Sequence, residues 1–464
     1  MADFQSLKDA FKGDLVTSAD PDYPRAIARW AANAERRAKV VAFVKDSADV
    51  ALAIKYATAK QLPIAIRGGG HNPAGASSSE GGLVIDLSRY LNAAKIDPEK
   101  KLAYVGGGAL WEAVDKAAIV HGLATVGGTV NHTGVGGLTL GGGYGYLTSE
   151  HGMAVDNLVQ ATVVLADGSV VTANDSENSE LFFGIRGGGS NFGVVTEFVF
   201  KLHPQRRTVY AGLLMYPPTA LEKIVSVTAE WWASGPEKQG MLQSTTEGPD
   251  GKPVVVILPF YNGSEAEGRA NFKAFLDIGP ILDTTKEIPY EELNALQNPT
   301  VEHGSCVYLK GLAQQKPEYS SIAKAYETAL EVSKDAGIIP MVVYEYFPLG
   351  KVFSLPDTAA FRRDSTPSVL IALFWKENTE ANTERARALS HQLARIVTGA
   401  HPDLTQTQKQ GYSNYDAEAV SGEKEAVPEK AKLVFAEKYP RLQRIKKLYD
   451  PNNIFNKWFP VTPA

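Results

Sequence analysis

The sequence predicts an α+β protein in two parts. Three observations carry this reading. Residues 40–67 read strand, helix, strand and run into three consecutive glycines. Four glycine-rich blocks fall within the first 200 residues. Past Gln205 the pattern changes to strand-like stretches set between amphipathic helices, which suits an antiparallel sheet backed by helices.

The elements follow in order. Residues 40–44, VVAFV, form an apolar run of strand length, and 48–60 carry Val50, Leu52, Ala53 and Tyr56 at helical spacing, with Ser47 as the expected N-cap. Residues 62–67 read as the second strand, so a β-α-β unit delivers the chain into Gly68, Gly69 and Gly70. LVIDLS and KLAYVGGGALWEAV carry strand character. NLVQATVVLADGSVVTAN reads as a hairpin, two β-branched runs joined by Ala-Asp-Gly-Ser. LFFGIRGGGSNFGVVTEFVFKLHP runs from the last glycine block into an alternating strand. Beyond it, TVYAGLLMY, PVVVILPFY and SVLIALFW read as strands, and LEKIVSVTAEWWA, SSIAKAYETALEVSKDA and ERARALSHQLARIV as helices. AEKYPRLQRIKKLYDPNNIFNKW closes as helix, turn and tail.

Composition bounds the function. The chain has 464 residues, 44% hydrophobic and 21% charged, enough for two domains with a sizeable core. Its net charge of -5 argues against non-specific nucleic-acid or membrane binding, and no apolar run of spanning length occurs. The start carries no apolar leader, so an intracellular, cytoplasmic location is expected. The Asn131, Asn174 and Asn262 sequons are then chance matches. The single cysteine, Cys306, excludes an intramolecular disulfide and a thiolate metal cluster, and reads as a buried thiol. No metal is expected, because HExxH and CxxC spacings are absent. GxxxxGK[ST] and a GxSxG serine elbow are absent too.

The glycine blocks raise a specific question: why is His71 set directly behind three glycines? Blocks at 68–70, 106–108, 134–145 and 187–189 let backbone N–H groups approach a large extended ligand. In order, RGGGHNPAG, GGLVIDLS, VGGGALW, GVGGLTLGGGYGYLTSEHGMAVDNL, RGGGSNFGVVTEFVFKLHP and YDPNNIFN resemble the berberine-bridge-enzyme-like FAD-linked oxidases of the vanillyl-alcohol-oxidase superfamily. The first block resembles 6-hydroxy-D-nicotine oxidase-like members and related fungal and bacterial secondary-metabolism and sugar oxidases. The resemblance implies a PCMH-type FAD-binding domain from residues 1–205 and 425–464, and a substrate-binding domain from 206–424. It implies FAD bound covalently through His71. Many relatives add a second link through a cysteine, but Val130 stands at that position here, so a single link is expected. Thr133 holds the place where relatives gate oxygen, and its small side chain fits O2 as acceptor with hydrogen peroxide as product. His132 either turns the loop or lines the flavin edge.

By motif position the resemblance further assigns Arg67, Gly68, Gly69, Gly70, Asn72, Gly75, Gly134, Gly137, Leu138, Gly141, Gly142, Gly152, Ala154, Asn157, Val195 and Asn453 to the cofactor, with Asn456 a weaker candidate. Asn453 could instead only cap its Asp-Pro-Asn-Asn turn. The implied reaction oxidises a CH–OH or CH–NH group of a small molecule, and needs a base for the donor's proton. QGYSNYDAEAV matches the family's YxNY segment, which makes Tyr415 the base and Tyr412 a substrate contact. An extended segment would put Tyr412 and Asn414 on one side and Tyr415 on the other, and the base would need a nearby cation or the flavin to depress its pKa. Glu345, in MVVYEYFPLG, is either a group that orients the donor or an edge glutamate. His303, Tyr308 and Lys310 are further cleft candidates. The apolar SVLIALFW argues against a sugar. Two alternatives stay open: a dehydrogenase with another acceptor, and a flavin-binding protein without turnover. The resemblance suits small-molecule or secondary metabolism.

Overall fold

The structure is a computed structural model that describes residues 4–233, 235–248, 250–363, 368–419 and 427–464. The expected boundary at 424/425 lies outside the described residues.

The first sheet runs in the order Asp14–Val16, Val40–Phe43, Leu83–Asp86, Ile64–Arg67, the last three strands parallel. The β-α-β unit is therefore present, but Leu83–Asp86 lies between its two strands. Its helix is Ser47–Ala59. Asp46, not Ser47, is the N-cap: its carboxylate accepts from the N–H groups of Ala48 and Asp49, both at 3.0 Å. A shorter serine side chain one residue later cannot serve the same first turn. The helix buries Val50, Ala53, Ile54 and Ala57 against the sheet.

The second sheet is antiparallel, in the order Ala94–Asp97, Leu102–Gly106, Val194–Lys201, Leu158–Val164, Val170–Ala173. The last two strands are the hairpin read from the sequence. In KLAYVGGGALWEAV the strand character ends at Gly106, and Trp111–Ile119 is a helix with Trp111 fully buried.

Among the described residues the third sheet has nine strands, every pairing antiparallel. Gln239–Glu247, Ile339–Tyr346 and Ser368–Trp375 follow one another in it, and Cys306–Ala313 closes it as the end strand. Leu221–Ala233, Tyr319–Ala336 and Glu380–Gly399 cover one face, burying Cys306, Tyr308, Val342, Tyr344, Ile371 and Leu373. Alternation turns Val307, Leu309, Met341, Val343, Leu370 and Ala372 to the other face, against the first 200 residues. That face forms one wall of the site.

The C-terminal helix Tyr439–Tyr449 returns to pack Tyr439, Leu442 and Ile445 with Phe182, Phe183 and Ile185. Lys446 and Asp450, both without solvent exposure, pair at 2.6 Å. The ammonium also donates to the carbonyls of Asn191 and Phe455, and the carboxylate accepts from the N–H groups of Ile454 and Phe455. Asp450→Ala leaves a buried cation and two N–H groups without their acceptor. It is expected to cost about 3–5 kcal/mol, read as a lowered urea midpoint at unchanged slope.

Candidate active site

An open cleft is lined by residues of both halves, with about 1670 Å³ of space free of protein atoms. Glycine loops build one wall. Gly68 and Gly69 leave the strand Ile64–Arg67 and press directly on two other glycine loops. A Cβ on Gly69 would stand 2.5 Å from the Cα of Gly134, and one on Gly68 would stand 2.8 Å from the Gly107 carbonyl oxygen. Three blocks therefore need glycine because their backbones touch each other. Gly137 differs: a Cβ there meets nothing within 4 Å, so its backbone borders free space in the cleft.

His71 follows this junction. Its ring lies flat on the Trp30 indole, centroids 4.0 Å apart at 10°. Its Nε2 is 3.2 Å from Nδ1 of His132, whose ring centroid is 5.0 Å from that of His303. Burial, followed by the two neighbouring imidazoles, holds the His71 pKa well below the usual histidine range. The ring is thus neutral at physiological pH and keeps a nitrogen lone pair. Trp30 is itself anchored: its N–H bonds the Gly70 carbonyl, and its indole N–H donates to the Val301 carbonyl at 2.7 Å.

The same cleft holds the acid–base groups. Glu345 projects from Ile339–Tyr346 and is 3% exposed. The Tyr415 hydroxyl donates to its Oε1 at 3.0 Å, and the Tyr144 hydroxyl donates to its Oε2. Burial outweighs the opposing hydroxyls of Ser368 and Tyr415 and pushes the carboxyl pKa up to about 8. Tyr412 accepts from the Gly143 N–H at 3.0 Å and from the Asn414 amide at 2.7 Å, and Asn414 also donates to the Leu138 carbonyl. Gly141 makes this closure possible, since a Cβ there would fall 2.1 Å from Asn414 Oδ1.

One expectation about the YxNY segment is corrected. Ser413–Tyr415 is a 3₁₀ turn, not an extended strand, so Tyr412, Asn414 and Tyr415 all face the cleft. The tyrosine pKa values are raised, not depressed. Burial comes first for both, and for Tyr415 the Glu345 charge comes next. No Lys or Arg lies among the described lining residues to lower them. Glu345 is the group there that titrates near neutral pH.

The remaining assigned residues divide. Gly68, Gly69, Gly70, His71, Asn72, Thr133, Gly134, Gly137, Leu138, Gly141 and Val195 line the cleft. Arg67, Gly75, Gly142, Gly152, Ala154, Asn157 and Asn453 stand outside its lining. Arg67 turns to the fully buried Asp86 at 3.0 Å. Gly142 packs behind Phe361. Asn157 bonds the carbonyls of His151 and Met153 and the ring of His203. Asn453 sits at φ +52° in its turn, where its carbonyl accepts from Asn456. Of the further cleft candidates, His303 stands beside His132, whereas Tyr308 points into the helix-covered core and bonds Glu418. Lys310 shares the strand phase of Tyr308. Cys306 also faces that core, and Val130 lines the cleft. Sequence reasoning missed Trp30 and Tyr144. Tyr144 is hidden inside GGGYGY, where the glycines draw attention to backbone.

The cleft fits FAD. It lies between glycine loops and the sheet, it presents backbone at Gly137, and the Ser77 hydroxyl in its wall is buried without a hydrogen-bond partner. Comparison with known proteins agrees. Residues 38–174 match the FAD binding domain family, and residues 411–458 match the family described as berberine and berberine like. The chain is 33% identical to FAD-linked oxidoreductase pgmH of Aspergillus terreus, over 100% of this chain and 96% of that one. Its structure resembles 6-hydroxy-D-nicotine oxidase from Arthrobacter nicotinovorans, with a TM-score of 0.85 and 26% identity over 98% of each chain. It shares the fold of glucooligosaccharide oxidase from Acremonium strictum, an enzyme with a cysteinyl, histidyl FAD, at a TM-score of 0.83 and 21% identity over 99% of this chain and 98% of that one. Among the described residues no helix is long and apolar enough to cross a membrane. On this sequence match, fold and cleft, the chain belongs to the berberine-bridge-enzyme-like family of FAD-linked oxidoreductases.

Proposed function

We propose that this oxidoreductase oxidises a CH–OH or CH–NH group of a small molecule, with FAD joined to the protein through His71 alone and O2 as the acceptor. Residues 1–205 and the C-terminal return would hold the FAD, and 206–424 would shape the donor pocket. The observation that carries the reading is the buried Glu345 carboxyl, bound by Tyr415 and Tyr144, in the same cleft as the neutral His71.

Bound FAD supplies a two-electron acceptor for hydride. The chain's own residues do the rest. The glycine loops and Asn72 would hold the cofactor, and the neutral His71 ring would offer the lone pair needed to bond it. Trp30 keeps that ring flat, and His132 fixes which nitrogen carries hydrogen. Glu345 accepts the donor's proton, either directly or through Tyr415. In the second route the tyrosine hydroxyl takes the donor's proton as it passes its own to Oε1. Tyr415 then never exists as a free tyrosinate, which fits its raised pKa. Tyr412 is pinned by Gly143 and Asn414 and acts as a contact surface. Thr133 is a small side chain in the cleft lining, which would suit O2 as the acceptor, and the absence of cysteine from the described lining supports a single link.

The test is an absorbance spectrum of purified protein followed by acid precipitation, then peroxide measured per turnover under air. The expected result is a yellow pellet and about one peroxide per donor oxidised. A yellow supernatant over a white pellet would remove His71 as the anchor. Turnover with an artificial acceptor but without peroxide would replace O2 with another acceptor.

A further inference from the structure

Thr129, Val130 and Thr133 of the loop 129–133 line the cleft, and His132 stands beside His71. The loop is suspended from two sides. On one side is the N-terminus of the helix Trp111–Ile119, whose first N–H groups have no partner within the helix. The Trp111 N–H donates to the Thr133 carbonyl at 3.1 Å, and the Glu112 N–H to the Asn131 carbonyl at 2.9 Å. On the other side are two 3₁₀ turns from the second half of the chain, Tyr290–Ala295 and Asn298–Thr300. The Asn131 N–H donates to the Asn294 carbonyl at 2.7 Å. The Asn298 amide donates to Asn131 Oδ1 and the Gln297 amide to the Thr129 carbonyl, both at 2.9 Å.

Asn294 ties the two sides together. Its carbonyl holds Asn131, and its side-chain amide donates to Asp115 Oδ2 at 2.7 Å. Asp115 lies one turn along the helix that receives the loop. Both side chains are buried, Asp115 at 3% exposure and Asn294 at 5%. The titratable groups facing the carboxyl are Glu112 on its own helix and Tyr290 and Glu291 on the turn. The strands Ala94–Asp97 and Leu102–Gly106 also pack on this helix, and they share Ala94, Ile96, Ala103 and Val105 with its core. Alternation turns Lys95, Asp97 and Tyr104 to the other face. Among the described residues no cation pairs with Asp115.

We infer that Asp115 is a positioning residue: through Asn294 and Asn131 it holds the loop 129–133, and with it His132, against His71. This rests on the proposed bond between His71 and FAD. The buried Asn294 amide needs an acceptor, and losing it would release the turn whose carbonyl holds Asn131. The acceptor need not be charged. Burial, helped by the Glu291 and Glu112 charges and opposed by the Asn294 amide, pushes the Asp115 pKa up to about 7. With the loop closed the carboxyl keeps its proton up to about pH 7, whereas an opened, hydrated one releases it near 3.8. The proton-linked part of the anchor is therefore whole below about pH 4 and is lost as pH rises through about 7.

The test is hydrogen exchange of the FAD-loaded full chain, read by mass spectrometry over residues 129–134. It is paired with the time course of acid-stable flavin after FAD is added to flavin-free protein. Asp115→Leu removes the acceptor. Its loop protection should fall about tenfold or more, with the helix Ser47–Ala59 unchanged as the control. Its acid-stable flavin should form at least about fivefold more slowly. Asp115→Asn keeps an acceptor without charge, and at pH 5.5 should match the parent within about threefold in both measures. From pH 5.5 to 8 the parent's loop protection, corrected for intrinsic exchange, should fall about tenfold or more, while that of Asp115→Asn stays constant. At pH 8 the variant should thus hold its loop better than the parent and attach flavin faster, which a side chain that only fills space would not produce. If Asp115→Leu does not fold, Asn294→Leu breaks the same bond from the other end, and the pH series on the parent needs no variant. Unchanged loop protection in Asp115→Leu, or a parent loop indifferent to pH, would overturn the inference. So would a loosened loop that attaches flavin at the parent's rate. A parent without acid-stable flavin but with the pH-dependent loop would sink the His71 reading alone and leave Asp115 as the loop's anchor.

Discussion

Glu345→Gln is expected to lower kcat/KM by about 10²–10⁴-fold, the range for removing a positioned general base. Glutamine keeps the size of the side chain and can still face Tyr144 and Tyr415, but its amide cannot take a proton. The unaltered enzyme should show the matching pH profile. A base must be ionised to act, and burial places the Glu345 pKa at about 8. The log of kcat/KM should therefore rise with a slope near one up to about pH 8 and level off above it. The tyrosines cannot produce that limb, because Tyr412 and Tyr415 are both shifted upward from their ordinary value. Stability should move in the opposite direction to activity. The folded protein holds the Glu345 proton more tightly than the unfolded chain, whose carboxyl titrates near 4.5. As pH rises from about 4.5 to about 8, the folded state alone must keep or lose that proton at a cost, and stability falls. Glu345→Gln removes this cost, so its Tm should exceed that of the parent at pH 9 and approach it at pH 4. Activity lost with Tm gained would separate a missing base from a damaged fold. Activity within tenfold of the parent would exclude Glu345 as the base and return Tyr415 to that role.

The parts legible in the sequence were those whose signal is local. The strand-helix-strand of 40–67, the hairpin around Gly168 and the alternation of the central strands each follow from periods of 3.6 or 2 within a short window. Glycine blocks were equally plain, although one reason for them was not. Gly69 and Gly134 need each other's missing side chain across 64 intervening residues, a contact no local pattern contains. Trp30 was invisible for the same reason, because its partners are His71 and Val301. At 412–415 a local rule failed outright. Alternation would have divided Tyr412 from Tyr415. The paired hydrogen bonds on the Tyr412 hydroxyl and the bond from Tyr415 to Glu345 instead draw both rings into the cleft through a 3₁₀ turn. The buried Glu345 was ambiguous because a strand sequence does not say which neighbours will cover it. Only the register with Gln239–Glu247 and the approach of Tyr144 exclude water from it.

His71→Ala should abolish acid-stable flavin, from about one per chain to none, while FAD bound without a covalent link survives gentle purification. The glycine loops, Asn72 and the sheet wall all remain in this variant, so the cleft keeps most of its cofactor contacts. Loss of the stacked imidazole removes about 1 kcal/mol of ring contact with Trp30, too little to unfold the chain. The Tm without flavin should therefore stay close to the parent's, and the apparent flavin affinity becomes measurable by dialysis. His132→Ala separates two roles within the same cluster. If the 3.2 Å contact between His71 Nε2 and His132 Nδ1 fixes the tautomer of the attacking ring, this variant should acquire its acid-stable flavin more slowly than the parent when FAD is added to flavin-free protein, yet reach the same final amount. An equal rate would reduce His132 to packing. Acid-stable flavin at full occupancy in His71→Ala would mean that another side chain carries the bond. In this cleft that side chain could not be a cysteine, because Val130 occupies the wall beside Thr133 and the Cys306 thiol lies on the far side of the sheet.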